Sequence, residues 1–97
     1  MTTQSIRSEV IVEIEKLQAD VVLAVGNNDD PRLLAEALQA IGKMLLDPQQ
    51  AETASPVPQM WRLLMGLHIG GKMSNDQLYE LSGRFAQCAL RLYPISE

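Results

Sequence analysis

The chain has 97 residues, 46% apolar, 21% charged and 4% aromatic, which is enough for one globular domain and too apolar for a disordered segment. Its net charge is −4, and its eight basic residues form no run; an acidic surface of this kind repels phosphate, so nucleic acids and membrane surfaces are not expected partners. The single cysteine, Cys88, excludes an intrachain disulfide, and no apolar stretch approaches the ~20 residues needed to cross a bilayer.

The first predicted helix covers about residues 3–25. Ile6, Val10, Ile14, Leu17, Val21 and Ala24 recur every three or four residues, the signature of one helical face. Val12, Val22 and Val25 widen that face, so contact with more than one neighbour is expected. Glu9, Glu13, Glu15, Lys16 and Asp20 lie mostly off it and read as a solvated acidic surface. A carboxylate-bridged metal pair would need a histidine on the same helices, and none is present. The segment Gly26-Asn27-Asn28-Asp29-Asp30-Pro31 is the clearest break. Gly26 suits the left-handed position after a helix, and Asp30 followed by Pro31 is an N-cap and a first helical residue. A calcium loop beginning in this segment would lack its central glycine and terminal glutamate.

The second helix is predicted over about 31–46, with Leu34, Leu38, Ile41 and Leu45 inward. Gly42 sits inside it at a cost of ~1 kcal/mol relative to alanine, which suggests a close helix crossing. Asp47-Pro48 reads as its end, since a residue before proline avoids the helical region. Gln49 to Val57 reads as a polar loop without periodicity. The third helix, about 58–69, holds the densest run of large apolar residues in the chain. Met60, Leu63, Leu64 and Leu67 form one face; Trp61, Met65 and His68 form an adjacent one, and Gly70-Gly71 ends it. Ser74 and Gln77 match a capping box opening a fourth helix, about 75–93. Its stripe is Leu78, Leu81, Phe85, Cys88 and Leu92, with Ala86 and Ala89 as small neighbours, and Tyr93-Pro94 closes it.

Short connections within each half make the expected fold all-α: a single domain, 1–97, of four helices in two successive antiparallel hairpins, either a tetratricopeptide-like pair or a four-helix bundle. Within residues 61–94, Trp61 and Leu64 with His68 four further on, a turn near Gly71, and the closing Ala89-Leu90-x-Leu92-x-Pro94 resemble a tetratricopeptide-type hairpin. Met65 stands where that repeat carries glycine, and about five extra residues separate turn and close. The resemblance implies a protein-binding scaffold, such as the small acidic helical chaperones of bacterial secretion systems.

Catalytic chemistry finds little to work with. Cys88 lies on an apolar stripe, where an inert buried thiol is the ordinary outcome, although His68, the one histidine, could pair with it across the third and fourth helices. There is no zinc-ligand cluster and no phosphate loop. No catalytic residue, metal, cofactor or small-molecule ligand is therefore expected. The expected function is non-catalytic protein binding, with a protein partner or a homodimer, through Trp61, Met65, His68, Val12, Val22 and Val25. A helix-turn-helix regulator reading DNA with Ser74, Asn75, Gln77 and Arg84 is the alternative, and a small helical enzyme a distant one. With no secretory pattern at the start, a cytoplasmic location is expected.

Overall fold

The computed structural model describes residues 3–26 and 30–94. Asn27, Asn28 and Asp29, considered above for calcium, and the tail Ile95-Ser96-Glu97 lie outside them. The described residues are all-helical: α1 Thr3–Val25, α2 Pro31–Leu46, α3 Pro48–Thr53, α4 Pro56–Ile69 and α5 Asn75–Leu92.

Local chemistry accounts for the boundaries. The Asp30 carboxylate accepts from the Arg32 N–H at 2.9 Å, with Pro31 opening α2. The Ser74 hydroxyl accepts from the Gln77 N–H at 3.1 Å and the Gln77 side chain accepts from the Ser74 N–H at 2.9 Å, the full reciprocal box. Gly71 takes φ +76°, the left-handed turn that lets α4 double back into α5.

One expectation is corrected. The segment after Asp47 is a short helix, α3, rather than a loop, so the described residues hold five helices and not four. The proline rule alone makes Asp47-Pro48 the end of α2. Asp47 is also an N-cap, accepting from the Gln49 N–H at 3.0 Å and the Gln50 N–H at 3.5 Å, with Pro48 at the first helical position. The same aspartate–proline chemistry thus opens both α2 and α3. No residue of α3 is buried, so apolar periodicity could not reveal it. Ser55 then turns the chain into α4 with φ 52°.

Each long helix packs against two others: α1 on α2 and α5, α4 on α2 and α5, with α3 resting on α2. The most extensive contact joins the first helix to the last. Arg84 reaches Glu13 and Asp20, whereas Arg91, two turns later, reaches back to Glu9; α1 and α5 therefore run antiparallel. The acidic face of α1, expected to be solvated, is in part the docking surface for the arginines of α5.

The space enclosed is filled by Val10, Ile14, Leu17, Val21 and Val25 from α1, Leu34, Leu38, Ile41 and Leu45 from α2, Met60, Leu64 and Leu67 from α4, and Leu78, Leu81, Phe85 and Cys88 from α5, with Met73 from the α4–α5 turn. No polar or charged side chain is buried among the described residues. Gly42 explains how α1 and α2 approach. A Cβ there would stand 2.8 Å from Gln18 Nε2 and 3.3 Å from Ile14 Cγ2. Its absence leaves room for the Gln18 amide to donate to the Leu38 carbonyl at 3.0 Å. At the other end, the Tyr93 hydroxyl donates to the Leu45 carbonyl at 2.7 Å, tying the end of α5 to the last turn of α2.

Candidate functional site: an apolar groove between α4 and α5

Helix α5 carries two stripes. The first is the core stripe. The second is Tyr79, Gly83, Ala86 and Leu90, at spacings of four, three and four, so all four project within ~60° of one another on a helix of 3.6 residues per turn. It faces away from the core: Tyr79 is 60% and Leu90 43% exposed. Beside it, α4 presents Val57, Pro58 and Trp61. The Trp61 and Tyr79 rings meet with centroids 5.7 Å apart and planes at 50°, a tilted aromatic pair that forms one wall.

The groove between these surfaces has a volume of about 470 Å³ and is lined by Val57, Pro58, Trp61, Tyr79, Ser82, Gly83 and Ala86. No charged side chain lines it. Val57 and Pro58 are shared with a second hollow of about 310 Å³, which extends past Ala89 and Leu90 to Tyr93, Ala51 and Leu45. The two hollows adjoin at Val57 and Pro58 and together line the outside of α4 and α5 as an apolar channel. Its floor is low because Gly83 has no side chain and Ala86 a short one. A contiguous apolar surface left partly in water is the form that ligand grooves and protein–protein contact sites take.

The expected binding residues divide. Trp61 and Met65 are partly buried against the core, and Trp61 lines the groove. His68 is half-buried, and its Nδ1 lies 2.9 Å from the Met73 carbonyl; a carbonyl only accepts, so Nδ1–H donates. The imidazole braces the α4–α5 turn. On α1, Val12 is half exposed, Val22 is half-buried, and Val25, 1% exposed, is in the core. Val25 is corrected accordingly: it extends the inward stripe by one turn from Val21 and offers no surface. The α1 set and the α4 set do not form one face, because α1 and α4 are separated by α2 and α5. Tyr79, Gly83 and Leu90 were not among the expected residues. Their signal was the second 4-3-4 spacing on α5, which lies beside a core stripe regular enough to account for the helix alone.

Cys88 and His68 are not neighbours. His68 holds the turn before α5, and Cys88 lies thirteen residues into that helix, roughly 20 Å along its axis at 1.5 Å per residue. Burial, and secondarily the charge of Glu13, pushes the Cys88 thiol above its ordinary value, away from the reactive thiolate. Among the described residues no three His, Cys, Asp or Glu side chains gather as metal ligands. Of the side chains a helix-turn-helix would use to read bases, Ser74 and Gln77 cap each other. Arg84 is held by two carboxylates, and its hydrogen bond to Asp20 above all raises its guanidinium further, against the opposing effect of burial.

Comparison with known protein families, characterised proteins and solved structures finds no match for this chain.

Proposed function

We propose that this chain is a non-catalytic protein-binding module whose α4–α5 channel receives an apolar helical segment of a protein partner. The observation that carries the reading is the uncharged channel itself, walled by Trp61 and Tyr79 and floored by Gly83 and Ala86. A helix laid there gains burial against aromatic rings and meets no charge that must be desolvated. The internal use of Ser74, Gln77 and Arg84 supports a protein partner over DNA. The packing of α1 on α5 supports a closed bundle of two antiparallel hairpins over an open stack of repeats. No helix among the described residues is long and apolar enough to cross a membrane.

In its finer form, the reading is a small acidic chaperone or adaptor of a bacterial secretion system. It rests on the spacing of the single α4–α5 hairpin over residues 61–94, which resembles one tetratricopeptide-type unit and not a stack of them, and on the net charge of −4.

The test is capture from an extract of the source organism with the native chain and with Gly83→Lys. A Cβ at Gly83 meets nothing within 4 Å, so the lysine fills the channel without disturbing the fold. A partner retained by the native chain and lost with Gly83→Lys, at equal helicity by circular dichroism, is the expected result. Undiminished retention overturns the reading. Whether the captured protein is an export component or exported client decides the finer form.

A further inference from the structure

Resting on the reading of the α4–α5 channel as a protein-binding surface, we infer that one occupant of it is a second copy of this chain, packed α5 against α5 in antiparallel register about a two-fold axis between Gly83 and Ala86. The stripe is self-complementary. In an antiparallel pair the residues that face each other have position numbers of constant sum. One register sets Gly83 opposite the partner's Ala86 and, in the same stroke, Tyr79 opposite the partner's Leu90. The two smallest residues then lie at the axis, where helices must approach most closely, to 8–10 Å between axes. The two large ones lie at the ends, each aromatic ring against a leucine.

The charges agree with the register that the apolar residues select. Asp76, Glu80 and Arg91 lie on the flank of the stripe away from α4. A two-fold axis of this kind faces that flank with its own copy, so Arg91 of one copy stands level with a point midway between Asp76 and Glu80 of the other, about 3 Å of rise from each. Two carboxylates bracket one guanidinium at each end of the pair, and no like charges stand level. Arg91 already pairs with Glu9 in its own chain, with both side chains about half exposed, 44% and 50%, so the guanidinium retains donors for a second carboxylate. Such a two-fold arrangement is the commonest closed symmetry of soluble assemblies.

The experiment is sedimentation equilibrium over micromolar to submillimolar concentrations. The native chain is expected at twice the 10.7 kDa of one copy, and Gly83→Lys at 10.7 kDa with helicity retained. Reversing both acids, Asp76→Arg with Glu80→Arg, weakens the dimer several-fold, and adding Arg91→Glu restores it, because each swapped carboxylate is then bracketed by two guanidiniums across the axis; these surface changes test the same register should Gly83→Lys not fold. A native chain that stays monomeric, a dimer unaffected by Gly83→Lys, or a charge swap that fails to restore it overturns the inference. A monomer that still loses a captured partner through Gly83→Lys overturns the self-pairing and leaves the channel reading standing. A chain that neither dimerises nor captures a partner through this groove overturns both.

Discussion

Arg84 on α5 and Glu13 on α1, 71 residues apart in the chain, are joined by two hydrogen bonds to a single carboxylate oxygen, from Nε at 3.1 Å and from Nη2 at 2.9 Å. The remaining Nη1 donates to Asp20 at 2.7 Å. One guanidinium thus spans two turns of α1, from Glu13 to Asp20, across the most extensive helix contact in the fold. The side chain is 27% exposed, so water weakens the pair. Arg84→Ala is expected to cost about 1 kcal/mol of stability, and less at high salt, where the carboxylates it leaves behind are screened. Arg84→Lys recovers only part of this, since an ammonium lacks the planar fork that serves both acids. Urea unfolding at low and high ionic strength measures the difference.

Asp47 terminates α2, its N–H donating to the Lys43 carbonyl, and caps α3 with its side chain. Asp47→Ala should therefore act mainly on α3. The expected loss is about 1 kcal/mol, with faster amide hydrogen exchange confined to residues 51–54, whose N–H groups bond within α3. Exchange that instead rises along α2 would show that the carboxylate, and not the backbone bond to Lys43 alone, holds the end of α2.

Glycines 42 and 83 should respond in opposite directions. In the single chain nothing stands within 4 Å of a Cβ at Gly83, so at concentrations too low for pairing Gly83→Ala stabilises by up to about 1 kcal/mol through helix propensity and the narrowed unfolded state. At Gly42 a branched side chain would meet Ile14 and displace the Gln18 amide from the Leu38 carbonyl. Gly42→Val is expected to destabilise by about 2 kcal/mol, within the range for overpacking a helix contact. Thermal melts of the two variants beside the native chain give the signs directly.

Stability should fall in alkali. Burial, before any charge effect, raises the Cys88 thiol above the ordinary thiol value of 9.0 and the Tyr93 hydroxyl above the ordinary phenol value of 10.0. Below those values both groups hold their protons in the folded and unfolded chains alike, and neither contributes a pH dependence. As pH rises past about 9, the unfolded chain releases protons that the folded chain retains, so unfolding is favoured. The decline begins with Cys88 and steepens with Tyr93. Cys88→Ala removes the earlier part of the decline and leaves the later part, as urea midpoints between pH 7 and 10.5 would record (about two units either side of the thiol value).

A good deal of the fold was legible in the residues. Leu34, Leu38, Ile41 and Leu45 announce one face of α2, and the reciprocal Ser74–Gln77 cap announces the start of α5, because spacing and capping act within a few residues of chain. α3 was hidden for a related reason. Its cap is local and readable, but a short helix that buries nothing leaves no periodic trace, and proline after Asp47 serves equally as an end or a beginning. Trp61 was legible as a residue of double character; its ring partner, Tyr79, was not.

The sequence by itself determined the all-helical class, the inward stripes and most helix ends, since these follow from rotation per residue and from hydrogen bonds between near neighbours. Only the tertiary structure decided which faces meet. The pairing of α1 with α5, the use of Glu9, Glu13 and Asp20 as anchors for Arg91 and Arg84, the enclosure of Val25, and the union of Trp61 with the Tyr79–Gly83–Ala86–Leu90 stripe in one channel all depend on the order of helices around the core. That order is set by how four apolar stripes jointly exclude water, a property of the assembled faces that no single helix carries in its own spacing.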